Sequence, residues 1–400
     1  MNTMEIENKY HLSFCTKLPL SIERGEGVYV WDENGKKYLD FTAGWAVSSV
    51  GNCHPVINSA LTEQCVKIMH NPNSGLTYSP ARAKLLLSMQ KVLPEGLIKI
   101  FFTNSGAEAN DAAMKLARKV TGRKEIVSTG MSFHGRTIGT ASATGQSVQR
   151  DRFNVLLPHH VTVPYNDVAA MEKAIGAETA AVIVEPIQGE GGIIVPDKDY
   201  LAKVSSLCKA AGALLILDEI QTGFFRTGDA FEAVSQGVTP DILTMAKGIA
   251  GGFPLGAVAV SDAVAAKTEQ GDHGGTYIGN PLGCAVASAV IDYMVESDIG
   301  THVKQIGEVL SKVLEDYKSQ YPELIQDIRG KGLLWAVELK SQDLSSRVFD
   351  DCLDKGLILN LKHGKVFRFF PALTITEEEL MEGAGIFFSS MQKFTQITPL

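Results

Sequence analysis

A chain of 400 residues, 45% hydrophobic and 20% charged, carries too much apolar material for global disorder and too many residues for one small core, so two packed units are expected. A formal charge of −8 with no long Lys/Arg block argues against nucleic acid as a partner. No apolar window reaches the length of a membrane span, MNTMEIENKYHLSF has no signal-peptide core, and the six cysteines stand singly with no CxxC pair. The cytoplasm is therefore the expected compartment, and neither a metal centre nor a dithiol site is expected.

In chain order, an amino-terminal arm leads into GVYVWDENGKKYLDF, where apolar and aromatic runs flank the turn signal DENG; a hairpin is expected. From about residue 98 to 260, short apolar runs alternate with helical periodicity. KIFFTN, EIVSTG, AAVIVEP, ALLILDE, DILTMA and GAVAVS read as strands buried on both faces of a mostly parallel α/β sheet. After KIFFTN, Ser105 and Glu108 form an S-x-x-E capping box, and Ala109, Ala112, Ala113, Leu116, Ala117 and Val120 mark one buried helical face. A second helix carries Leu201, Val204, Leu207, Cys208 and Ala211 and stops at Gly212. From about 286 the texture becomes that of a smaller α+β unit: a charged helix with Val303, Ile306 and Leu310, strands in GLLWAVEL and KVFRFF, and a final helix capped by Thr376 and Glu379.

Ligands of open parallel sheets bind beyond the carboxyl ends of strands. There the chain offers Ser105-Gly106-Ala107, Glu185, Asp218 and Lys247. Ser105-Gly106-Ala107 is either a well-capped helix start or a phosphate cradle of free amides. Asp218 is either a solvated strand end or a carboxylate kept ionised by a cation. Lys247, within ILTMAKGIAGGFPLGA, is either a lysine whose stem packs on the core or a desolvated amine able to form a Schiff base. Cradle, carboxylate and lysine together are the three anchors that pyridoxal phosphate needs. No GxGxxG and no GK[ST] competes with that reading.

NSGAEANDAAMKLAR, SFHGRT, VEPIQGEGG, LDEIQTGFFRTG, MAKGIAGGFPLGA and GGTYIGNP, in this order and spacing, resemble class III pyridoxal-phosphate aminotransferases, nearest to the acetylornithine/ornithine aminotransferase group. The resemblance runs from LPLSIERGEGVYVWDENGKKYLDF to VFRFFPAL. It implies the fold-type I architecture: a large domain with a seven-stranded, mainly parallel sheet, and a small α+β domain built from both chain ends. The expected division is 1–49 (arm and hairpin, joining the small domain), 50–285 (large cofactor-binding domain) and 286–400 (small domain). A homodimer with shared active sites is implied as well.

The matching positions then take implied roles. Lys247 is the Schiff-base lysine and proton carrier, Asp218 the partner of the pyridine nitrogen, and Gln221 the partner of the ring hydroxyl. Ile220 and Phe133 sandwich the ring, and Glu185 belongs to the same cofactor-binding set. Ser105, Gly106 and Ala107 hold the phosphate, with Thr276 reaching it from the partner subunit. Arg368 binds the α-carboxylate of glutamate, Arg136 the other carboxylate, and Glu190 is a switch residue that pairs with Arg368 while an ω-amino donor is bound. Taken without the resemblance, both arginines read as surface residues.

Trp45 departs from the family pattern at a position lining the substrate pocket, where relatives carry a smaller aliphatic residue or a tyrosine. Phe225, Gly275, Ile278 and Asn52 are further departures, and none removes a catalytic group. The expected activity moves the terminal amino group of an N-acetylornithine/ornithine-type donor to 2-oxoglutarate. The alternatives are another ω-amine (4-aminobutyrate, putrescine or lysine) and an aminomutase of the same fold.

Overall fold

All six apolar runs of the central segment form strands, and a computed structural model describing residues 1–72, 74–146, 151–152 and 156–395 shows how they pair. They build a seven-stranded sheet in the order Leu97–Thr103, Gly256–Ser261, Ile242–Met245, Leu214–Asp218, Thr179–Val184, Glu125–Thr129, His160–Val163. Gly256–Ser261 runs antiparallel to both neighbours, and the remaining pairs are parallel. The seventh strand, His160–Val163, has no continuous apolar run to mark it. It lies at the sheet edge and is largely half-buried, so it needs no such run. Every residue of Thr179–Val184 is buried, the signature of a central strand covered on both faces.

The helix Gly106–Thr121 lies on this sheet through Ala109, Ala112, Ala113 and Ala117, packed against Ile183, Ile216, Ile242 and Val258. Small alanines let the helix axis come close to the strands, which brings its amino terminus to their carboxyl edge. Ser105 accepts from the Glu108 amide at 3.2 Å, as the capping box requires. The reciprocal arm differs from expectation: Glu108 Oε2 accepts from the Asn104 amide at 2.7 Å and from Asn104 Nδ2 at 2.9 Å, one residue further back. The helix Tyr200–Ala211 ends at Gly212 in the left-handed region (φ 66°), a conformation that favours glycine.

The two chain ends share a sheet. The expected hairpin, Tyr29–Asp32 with Lys37–Asp40, is flanked by Ile22–Glu26, which extends the arm into a strand. Leu357–Ile358 from the carboxyl-terminal part adds in parallel to Lys37–Asp40. A second four-stranded sheet contains Ile325–Lys331, Leu334–Leu339, Val366–Phe369 and Asn360–Lys362, all antiparallel. The helix Glu377–Thr395 is closed by a reciprocal box between Thr376 and Glu379, and it buries Leu380, Phe387 and Met391. No helix among the described residues is long and apolar enough to cross a membrane.

Candidate active site

Because all strands but one point the same way, the residues after Thr103, Thr129, Val184, Asp218 and Met245 gather at one edge of the sheet. They enclose a cavity of about 480 Å³. Ser105, Gly106, Ala107, Phe133, Arg136, Glu185, Glu190, Asp218, Ile220, Gln221 and Lys247 all line it. Most of the expected site residues are thus brought to one place from segments far apart in sequence.

Asp218 ends its strand almost fully buried. Its Oδ2 accepts from Asn110 Nδ2 at 2.7 Å and from His134 Nδ1 at 2.8 Å, while Oδ1 accepts from the Ile220 amide at 3.1 Å. Asn110 is itself held by Thr244 Oγ1 at 2.7 Å and donates to the His134 carbonyl at 2.8 Å. His134 and Asn110 were not anticipated from the sequence. His134 could have been found, since it stands inside SFHGRT between two residues assigned to the site; Asn110 sits among small helix-face residues and carries no such signal.

Lys247 opens a single tight turn, Lys247–Ala250, directly after the strand Ile242–Met245, with φ 44° in the left-handed region. Burial lowers its ammonium pKa from the ordinary 10.5, opposed by the charges of Glu190, Asp218 and Glu185. The apolar run before it is the strand that carries the amine to the cavity. Gly251 and Gly252 follow at φ 54° and 122°, and a Cβ on Gly251 would stand 2.7 Å from Ile57 Cδ1. Those glycines answer to turn geometry and close packing.

At the helix start, the amides of Gly106 and Ala107 belong to the first turn and have no intrahelical acceptor. A Cβ on Gly106 would come within 2.6 Å of Ile220 Cδ1, so this position admits only glycine while Ile220 keeps its place in the wall. Gln221 is buried with Nε2 lacking a hydrogen-bond partner among the described residues. Glu185 ties two loops together, accepting from the Phe133 amide at 3.0 Å and the Gly189 amide at 3.2 Å, and burial raises its pKa. Arg136 is exposed on the cavity rim, its guanidinium 5.9 Å from the Phe133 ring centre.

Arg368 departs from the surface reading. It is fully buried on the strand Val366–Phe369, with Nε donating to Asn360 Oδ1 at 2.7 Å and Nη1 to the Gly189 carbonyl at 3.0 Å. Nη1 also meets Glu190 Oε1 at 2.7 Å, and Nη2 has no partner among the described residues. Glu190 lines the cavity; Arg368 does not. Burial would raise the Glu190 carboxyl, but the charges of Arg368 and Lys362 outweigh it and pull the pKa down to about 2.

Trp45 lies off the cavity wall as well, half exposed, with its ring 5.3 Å from the Arg368 guanidinium. It belongs to a turn in which Ala43, Gly44, Trp45 and Ala46 all have positive φ, a left-handed turn that L-residues adopt at a cost of about 1–2 kcal/mol each. Thr276 sits on an exposed loop away from the cavity wall.

Residues 14–391 match the family described as aminotransferase class-III. The chain is 41% identical over 381 residues to the acetylornithine aminotransferase of Methanothermobacter thermautotrophicus, covering 94% of this chain and 95% of that one. It is 42% identical over 368 residues to the acetylornithine aminotransferase of Vibrio cholerae, covering 90% of each. Among solved structures, the ornithine aminotransferase from Toxoplasma gondii ME49 superposes with a TM-score of 0.94 at 31% identity, over 99% of this chain and 95% of that one. Sheet order, strand-edge cavity and sequence likeness agree, and the chain belongs to the class-III aminotransferases, with their fold-type I architecture.

Proposed function

We propose that the chain moves the terminal amino group of an ω-amino donor of the N-acetylornithine/ornithine type to 2-oxoglutarate, using pyridoxal phosphate. One observation carries the reading. Arg368 is a buried guanidinium with one arm closed by a resident carboxylate, Glu190, and the other arm, Nη2, without a partner among the described residues. Such an arginine suits a site that alternates between a substrate end without a carboxylate and one with it.

The cavity residues fit the cofactor. First-turn amides at Gly106 and Ala107, a glycine whose Cβ would displace Ile220, a Gln221 Nε2 with no partner among the described residues and a buried Asp218 offer one group for each polar edge of pyridoxal phosphate. When bound, the cofactor supplies an electron sink for the carbon that loses its proton. Lys247 Nζ is the covalent anchor and carries a proton to and from the donor carbon bearing the nitrogen. Asn110 and His134 hold Asp218 in place to face the ring nitrogen. Phe133 and Ile220 press on the two ring faces. Arg136 at the rim takes the second carboxylate.

We further propose a homodimer in which Thr276 completes the partner's phosphate site. Exposed Val66, Met69, Leu76 and Tyr78 support it, because they adjoin the Thr276 loop: the His70 and Tyr277 rings stand 5.6 Å apart. The division into 1–49 plus 286–400 against 50–285 is supported by the sheet that the two chain ends share. The cytoplasm as location is supported by six cysteines that form no disulfide.

The deciding experiment is a donor screen with 2-oxoglutarate as acceptor, scoring glutamate. N-acetylornithine or ornithine is expected to head the ranking. Turnover with α-amino acids but with no ω-amino compound would defeat the proposal, and a ranking led by 4-aminobutyrate or putrescine would move it to the neighbouring ω-amine reading.

A further inference from the structure

Glu190 does not belong to Arg368 alone. Its Oε1 meets Arg368 Nη1 at 2.7 Å, and its Oε2 meets Lys362 Nζ at 3.0 Å. Both cations come from one hairpin, Asn360–Lys362 paired with Val366–Phe369, in which Asn360 faces Arg368 and Lys362 faces Val366. With a side-chain period of two, Asn360, Lys362 and Arg368 share one face of that hairpin, the face turned toward Glu190. Two cations therefore hold one resident anion, leaving a net positive charge that one further carboxylate would neutralise.

The parts differ in freedom to move. Arg368 is pinned by the Asn360 side chain and the Gly189 carbonyl and is fully buried. Glu190 retains 13% side-chain exposure and lines the cavity, so it is the part that can swing. A carboxylate that left Arg368 for a position without a cation would be buried unpaired, which is strongly disfavoured.

We propose that Lys362 is a positioning residue for carboxylate exchange: it retains Glu190 when a substrate carboxylate claims Arg368, and so lowers the cost of opening the site to 2-oxoglutarate. In the closed state it shares the Glu190 charge and weakens that carboxylate's hold on Arg368. In the open state it is the remaining partner. The inference rests on the reading above, in which Arg368 receives the carboxylate.

The test uses the holoenzyme and the unreactive dicarboxylate glutarate, with Kd read by calorimetry, alongside KM and kcat for 2-oxoglutarate and for N-acetylornithine. Lys362→Met is expected to raise the glutarate Kd and the 2-oxoglutarate KM roughly tenfold, the equivalent of one charge-assisted contact, with kcat and the donor KM nearly unchanged. Lys362→Arg should restore the binding. In a Glu190→Gln background the same Lys362→Met change should have almost no effect, since no carboxylate is left to retain. A full tenfold loss in that background would mean that Lys362 attracts the ligand directly and would overturn the proposal. So would an unchanged glutarate Kd, or an equal rise in the donor KM. Glutarate binding undiminished in Arg368→Leu would instead remove the carboxylate-site reading on which the proposal stands.

Discussion

Asn110 donates to Asp218 Oδ2 at 2.7 Å from inside the helix whose first turn faces the same cavity. One buried amide thus couples the helix start to the strand-end carboxylate, and through Thr244 it reaches the strand that leads to Lys247. Asn110→Ala would leave the Thr244 hydroxyl and the His134 carbonyl short of a partner, at about 1–3 kcal/mol for each group left unsatisfied. Urea denaturation should show a lowered midpoint. Cofactor affinity should fall in the same variant, because Asp218 loses one of the two donors on Oδ2.

At Gly106 the expected effect falls on the cofactor more than on the fold. In Gly106→Ala the new methyl displaces the Ile220 side chain, whose Cδ1 would be 2.6 Å away. The flexible end of Ile220 can yield only into neighbouring space, so pyridoxal phosphate affinity should drop at least several-fold while the melting temperature changes little. Shortening the obstacle in Gly106→Ala/Ile220→Val should recover part of the loss, a coupling that a double-mutant cycle measures.

Lys247 is expected to cost the cofactor-free protein stability. Burial depresses its pKa below 10.5 in the folded chain, so the unfolded chain binds that proton more tightly. The folded state is penalised at every pH below the depressed value, and the penalty fades as pH rises from there toward 10.5. Lys247→Met should therefore abolish transamination yet raise the denaturation midpoint of the cofactor-free protein at neutral pH. That advantage should shrink in alkaline buffer; a variant less stable than the parent at pH 7 would contradict it.

Glu190 has the opposite sign. Its folded pKa of about 2 lies below the unfolded 4.5, so its pairing contributes stability that is fully present above 4.5 and is lost as pH falls through about 2. Glu190→Gln should accordingly be less stable than the parent at neutral pH, with the difference closing in acid. Its KM for 2-oxoglutarate should fall, because Arg368 is no longer held by a resident charge, while its preference for ω-amino donors over α-amino acids narrows.

Trp45 combines stacking with strain. Loss of its ring in Trp45→Ala removes a cation–π contact worth about 0.5–2 kcal/mol, and the KM for 2-oxoglutarate should rise a few-fold as Arg368 loosens. Trp45→Ile should be the less stable of the two variants despite its larger apolar side chain, because a β-branched residue is poorly accommodated at φ 70°. Thermal denaturation of the pair checks this.

Local pattern alone determined much of the molecule. Short continuous apolar runs marked the buried strands, because a strand covered on both faces must be apolar throughout, and Gly212 and Thr376 marked helix ends, because capping is a matter of a few neighbouring residues. Lys247 and Asp218 stood out as strand-end residue types, each open to a bland reading as well as a chemical one, and the order of long motifs identified the family. His160–Val163 escaped because an edge strand need not be apolar, and Arg368 read as a surface residue because nothing nearby in sequence shows the carboxylate and carbonyl that bury it. The third dimension decided that Asn110 holds Asp218, that Trp45 covers Arg368, and that Glu190 is shared between Arg368 and Lys362. These are contacts between residues up to 323 positions apart, the separation of Trp45 from Arg368. A charged group is stable in the interior only where such distant partners converge on it, and that convergence is a property of the folded chain rather than of any stretch of its sequence.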